Sequence, residues 1–153
     1  MIGFLGEYEA TLDSKGRFLL PGGLKKQLPE GEASFIISRG FENSLNMYTL
    51  KAWAAVVESI AKLNDFEPKV REFKRMFLGG ATEVELDSAG RMLLPPSLKA
   101  YASLTKDIVL AGNLDRINIW DAVKYNKFFE NISDAGFSSL AKEVMGNGIS
   151  GSN

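Results

Sequence analysis

The chain contains neither cysteine nor histidine. Without thiols it forms no disulfide, and no pairing pattern reveals a redox compartment. Without thiolate and imidazole, an ordinary structural zinc site is excluded, and so are Ser–His and Cys–His catalysis. Asp, Glu, Lys, Tyr and Ser remain as the groups able to do chemistry. A basic excess is lacking too. Lys and Arg number 18 against 19 Asp and Glu, for a net charge of −1 and a sequence pI of about 5.6. Any nucleic-acid binding must then come from local patches or from many copies acting together. No apolar run approaches the roughly 20 residues of a membrane span. The opening MIGFLGEYEA has no basic segment and its apolar run ends at Leu5, which is not a signal peptide. A soluble, cytoplasmic protein is the expectation.

What is present is ordinary in bulk and unusual in arrangement. The 153 residues are 45% hydrophobic and 24% charged, enough for one compact domain or two small lobes. Leu12–Lys26 repeats as Leu86–Ala100, with ten of fifteen positions identical. The shared core is Leu-Asp-Ser-x-Gly-Arg-x-Leu-Leu-Pro. A weaker match follows at Ile36/Ile108, Gly40/Gly112 and Asn46/Asn118, with the offset reduced from 74 to 72. The first copy therefore carries two extra residues, placed near PEGEAS. Such a long period marks a duplicated supersecondary unit rather than a solenoid.

Each unit reads alike. Tyr8, Ala10 and Leu12 alternate with Glu7, Glu9 and Thr11, as Thr82, Val84 and Leu86 do with Glu83 and Glu85. That is a strand with one wet face. The Asp-Ser-x-Gly turn follows, then a short apolar strand, Phe18–Leu20 or Met92–Leu94. Pro21 or Pro95 ends pairing and suits the first turn of a short helix. A hairpin follows (35–38 with 45–48, and 107–110 with 116–120), then a helix capped by Thr49 or Asp121. Between the units Pro68 can start a helix on which Phe66, Val70, Phe73 and Phe77 form a stripe. Phe137, Leu140, Ala141 and Val144 suggest a last short helix that packs, and GNGISGSN reads as a loose end. The segments expected are a first unit at 1–63, a connecting helix at 64–79, a second unit at 80–133 and a tail at 134–153.

Folding alone accounts for Asp13, Ser14 and Gly16, and for Asp87, Ser88 and Gly90. Asp accepts the N–H two residues on, and Gly suits the exit of the turn. Turn chemistry does not require Arg17 or Arg91. Two readings stay open for them: pairing with the Asp four residues back, or binding a ligand through a planar fork suited to phosphate or guanine. The surroundings are locally basic. Asp13–Lys26 carries +3 through Lys15, Arg17, Lys25 and Lys26, whereas Asp87–Ala100 carries +1 because Ala89 and Ala100 replace two lysines. A second basic patch, Lys69, Arg71, Lys74 and Arg75, reads either as another nucleic-acid surface or as a solvated helix face. Paired Asp residues in duplicated halves also invite comparison with the aspartic-protease dyad. The intervening Lys15 or Ala89 and the following Arg break that motif.

The two Leu-Asp-Ser-x-Gly-Arg motifs, with REFKRMFLGGATEVELDSAGR and LAGNLDRINIWD, closely resemble the bacterial MraZ family over roughly residues 1–133. The resemblance implies an α+β, β-rich pseudo-symmetric barrel of two tandem AbrB-like swapped-hairpin units with short helices. It implies a non-enzymatic, sequence-specific DNA-binding regulator, typically a repressor, encoded at the start of the division and cell wall gene cluster. Such proteins form ring-shaped homo-oligomers and bind short direct repeats in double-stranded DNA upstream of their own gene. Neither cofactor, metal, membrane nor small-molecule substrate is implied, and the location is the cytoplasm at the nucleoid. By position, Asp13, Arg17, Asp87 and Arg91 face DNA, with Lys15, Lys25 and Lys26 nearer phosphates. Ala89 departs from the basic residue at Lys15. A ring-forming scaffold that does not bind an operator is the non-DNA alternative.

Overall fold

The computed structural model describes residues 3–146, so the tail from residue 147 onward lies outside the described residues. The chain divides into two compact units, Met1–Ala122 and Val123–Asn153.

In the first unit the elements run β1 (Glu7–Thr11), β2 (Arg17–Leu19), α1 (Gly22–Lys25), β3 (Ser34–Arg39), β4 (Leu45–Thr49), α2 (Leu50–Ala61) and α3 (Pro68–Gly79). The second copy of the repeat then supplies β5 (Thr82–Glu85), β6 (Arg91–Leu93), α4 (Pro96–Tyr101), β7 (Asp107–Asn113) and β8 (Arg116–Asp121). The strands form a six-stranded antiparallel sheet, ordered β1-β7-β8-β4-β3-β5, and a separate β2-β6 ribbon. The two copies exchange strands. The first strand of each copy pairs with the hairpin of the other, β1 on β7 and β5 on β3.

Exchanging the two copies reverses the strand order into itself, and the register obeys the same rule. In the ribbon Phe18 faces Met92, its own counterpart in the repeat. In the sheet Asn46 faces Asn118, likewise its counterpart, and the Asn118 amide donates to the Asn46 carbonyl at 2.7 Å. A pseudo-two-fold axis therefore passes through both pairs. One detail of the sequence alignment is corrected. Ala10 faces Ile108 and the equivalent Val84 faces Phe35, not Ile36. A one-residue slip would turn the strand's other face inward, and it is Phe35 and Ile37 that occupy the core places of Ile108 and Leu110. The two extra residues of the first copy are accordingly split. One precedes β3 and one lies in the β3–β4 hairpin, where a 3-10 turn at Phe41–Asn43 takes up the slack.

The fold is a mixture of helices and strands around a large antiparallel sheet. The barrel expected from the sequence is not closed by strand pairing among the described residues, because the order ends at β1 and β5. One apolar core joins the copies through equivalent residues: Phe18 and Met92, Leu20 and Leu94, Leu24 and Leu98, Ile37 and Leu110. Each such side chain contributes about 1.5–3 kcal/mol by leaving water. A satellite cluster seats α2 and α3, with Tyr48, Ile60 and Phe77 buried and Trp53 between the Tyr48 and Phe77 rings at 5.3 and 5.5 Å. Thr49 caps α2 as expected, its hydroxyl accepting the Ala52 N–H at 3.1 Å. Phe66 does not join the stripe of α3. It precedes the helix, which starts at Pro68, so helical spacing does not apply to it, and it is 92% exposed.

The second unit carries α5 (Ala122–Glu130) and α6 (Asp134–Met145). Ser133 caps α6 by accepting the Gly136 N–H at 3.0 Å. Phe137, Leu140 and Val144, expected to pack, are exposed in the single chain. No helix among the described residues is long and apolar enough to cross a membrane.

Candidate nucleic-acid interface

The two repeated turns are built from the same bonds. In the first, the Asp13 carboxylate accepts the Lys15 and Arg17 N–H groups on Oδ1, both at 2.9 Å, and the Arg17 Nε–H on Oδ2 at 2.8 Å. In the second, Asp87 accepts the Ala89 and Arg91 N–H groups at 2.9 and 2.8 Å and the Arg91 Nε–H at 3.0 Å. Main-chain bonds close both loops, Gly16 N–H to the Asp13 carbonyl and Gly90 N–H to the Asp87 carbonyl. Gly16 and Gly90 exit at φ of +84° and +82°, where a β-carbon would strain the backbone.

These donors make the acids strongly ionised. The Asp13 carboxyl is lowered from 3.8 to about 2, chiefly by the Arg17 backbone N–H. Asp87 is lowered for the same leading reason, the Arg91 backbone N–H. Each carboxylate is engaged by its own turn, an arrangement opposite to a dyad in which two acids share a proton. Of the two readings open for Arg17 and Arg91, pairing with the Asp four residues back is observed. Each guanidinium spends its Nε–H on its Asp, and among the described residues its terminal nitrogens have no protein partner. The Asp thus holds the Arg with the fork that suits phosphate or guanine left available.

The β2-β6 ribbon sets the two Arg residues in relation. Arg17 faces Leu93 and Leu19 faces Arg91, so the two Arg are diagonal neighbours about 7–8 Å apart across the axis. Phe18 and Met92 point into the core between them. The ribbon is further tied to the turns. The Leu20 N–H donates to the Gly90 carbonyl at 3.2 Å, and the Leu94 N–H to that of Gly16 at 3.0 Å.

Comparison with known proteins gives a match of the same tandem kind. The family described as "MraZ protein, putative antitoxin-like" matches twice, at residues 3–76 and 77–147. A protein of Christiangramia forsetii named transcriptional regulator MraZ is 41% identical over 149 residues, covering 96% of this chain and 96% of that protein. One of Flavobacterium psychrophilum with the same name is 42% identical over 145 residues, covering 94% and 92%. The chain belongs to the MraZ family.

The other candidates of this MraZ-family chain are placed as follows. Lys15 and Ser14 are exposed at the first turn, and Ala89 and Ser88 at the second. Lys25 ends α1 and Lys26 follows as its C-cap, both exposed. Lys25 Nζ reaches the opposite copy's turn, 3.7 Å from where a β-carbon on Gly90 would stand. The Lys26 N–H closes α1 on the Gly22 carbonyl at 3.0 Å. The rival patch on α3 is partly committed elsewhere. Lys74 binds the Asp65 carboxylate at 2.6 Å and Arg71 the Asp65 carbonyl at 2.9 Å, which secures the loop before the helix.

Three residues beside the turns were not singled out in the sequence. Lys99 Nζ stands 4.0 Å from the β-carbon position of Gly16. Leu19 and Leu93 are 60% and 54% exposed on the outer face of the ribbon. A signal existed for all of them: Lys25/Lys99 and Leu19/Leu93 are identical between the copies, and an apolar residue kept on a wet face is not explained by the core.

Proposed function

We propose that this chain regulates transcription by binding specific double-stranded DNA through the paired Asp-Arg turns, as a repressor of its own gene cluster. The observation that carries this is the matched pair of guanidinium forks, each anchored at Nε by its own Asp and free at its terminal nitrogens. A two-stranded ribbon fits the major groove, and Arg donates two bonds to guanine O6 and N7. The two Arg sit as diagonal neighbours on one face of the ribbon, so both forks can be offered to the same groove. Asp13 and Asp87 orient the forks, Arg17 and Arg91 read bases, and Lys15, Lys25 and Lys26 meet phosphates. The names of the two relatives support regulation of transcription.

The finer reading follows the family resemblance. Two AbrB-like units, at 1–63 and 80–133 with a connecting helix at 64–79, make one pseudo-symmetric DNA-binding body. Copies assemble as a ring at the nucleoid and engage short direct repeats upstream of their own gene in the division and cell wall cluster. Repeated sites on a ring supply by avidity what a chain of net charge −1 lacks singly. Exposed apolar residues such as Phe66 offer material for contacts between copies.

Footprinting on the upstream DNA tests this directly. Protection of regularly spaced repeats is expected for the native chain. Arg17→Ala and Arg91→Ala should each weaken protection, by about 1–3 kcal/mol per lost base contact, without changing elution on a sizing column. An unaltered footprint in the double variant would overturn the site.

A further inference from the structure

The lysines that follow the two turns do not serve the turns they follow. Each ribbon strand is bonded to the turn of the opposite copy, Leu20 to Gly90 and Leu94 to Gly16. The short helix after it is then carried to that opposite turn, anchored by buried Leu24 or Leu98. Lys25 of the first copy thus comes to Gly90, and Lys99 of the second comes to Gly16. The two glycines present no side chain at these places. Neither ammonium has a carboxylate partner among the described residues, although acids outnumber bases in the chain. An ammonium without a carboxylate partner beside a turn that carries a half-free guanidinium is an arrangement for an anion with several oxygens.

Resting on the DNA reading above, we propose that Lys99 completes a phosphate-binding site with the Arg17 turn, and Lys25 with the Arg91 turn. Each DNA contact is then composite, an Arg from one copy and a Lys from the other. The two sites are unequal. The first adds Lys15 to Arg17 and Lys99, whereas the second has Ala89 in place of Lys15. The Arg fork gives direction and the lysine neutralises a backbone phosphate as a point charge.

The test is a salt titration of binding to a labelled duplex from the upstream region and to a scrambled duplex of equal composition. Lys99→Gln and Lys25→Gln are made singly and in the Arg17→Ala and Arg91→Ala backgrounds. Each lysine change should weaken binding to both duplexes alike and lower the slope of log affinity against log salt by about 0.9. Lys99→Arg should keep the slope. The coupling carries the assignment: Lys99→Gln should cost fewer-fold in affinity once Arg17 is gone, and its full factor when only Arg91 is gone, with Lys25 the reverse. An unchanged urea midpoint shows that the variants are folded. Unchanged slopes, or coupling of Lys99 to Arg91 instead, overturn the composite site while the native chain still binds. Failure of the native chain to bind either duplex overturns the DNA reading itself.

Discussion

At the scale of the residue, Asp13 builds the turn and, on the proposed reading, serves function as well. One carboxylate takes two backbone N–H groups and one guanidinium N–H, so the bonds that shape the loop also aim the Arg. Because these donors favour the charged form, the carboxyl falls to about 2. A lowered pKa means that the native state holds the proton less tightly than the unfolded chain. The turn's contribution is therefore complete above the ordinary carboxylate value of 3.8 and is lost as pH falls through about 2. The native loop should keep its charge state from neutral pH down past 3.8, while the stability it contributes begins to fall below that value. The Arg17 Nε–H resonance in a nitrogen-edited NMR titration is the measurement. It should hold its position through 3.8 and move with a midpoint near 2; a midpoint at 3.8 would mean that the carboxylate is not held by these donors. The turn was the most legible part of the sequence, since Asp, Gly and Arg act within five consecutive residues. The geometry of the Asp–Arg pair was not legible, because spacing does not say which nitrogen of the fork the Asp takes.

At the scale of the element, the β2-β6 ribbon has three residues per strand and one core side chain from each, Phe18 or Met92. Its outer face carries two Arg and two exposed Leu, and solvent alone does not favour the leucines. On the proposed DNA reading they would have a use in a major groove, as contacts to thymine methyl groups beside the bases assigned to Arg. Leu19→Ser and Leu93→Ser should move stability by no more than about 0.5 kcal/mol, as exposed positions usually do. The same changes should weaken specific binding several-fold. Urea unfolding and a gel-shift titration measure the two effects. Full affinity in the double variant would place this face of the ribbon away from DNA. Elements also mark where sequence reasoning stops. Thr49 was readable as a cap because its bond to Ala52 is local. The β3 alignment was off by one, because identity at Ile36/Ile108 competed with a register fixed by the partner strand. The place of Lys99 beside the first turn was not legible for a related reason. Its neighbour Gly16 is brought to it by the strand exchange, which no local pattern states.

At the scale of the molecule, the exchange makes each copy incomplete. Residues 3–79 alone would leave β1 without β7, β3 without β5 and β2 without β6. They would also expose Phe18, Leu20 and Leu24, whose neighbours in the core come from both copies. A monomeric half therefore lacks the burial needed to offset its lost chain entropy. The pseudo-two-fold axis offers one way out. Two identical first halves can take both places, with Phe18 facing Phe18 where it now faces Met92, and Asn46 facing Asn46. Fusion of the copies in one chain removes the need for that encounter, because the linking helix keeps the halves together. A fragment ending at Gly79 should accordingly melt with a midpoint that rises with its concentration and lose its fold on dilution, as an obligate dimer does, whereas the first unit of the full chain should keep its fold on dilution because both copies lie in one polypeptide. Circular dichroism melts over a concentration series make the comparison. A folded monomeric half with a concentration-independent midpoint would contradict the exchange, since β1 and β2, which pair only with strands of the other copy, would then need partners within their own.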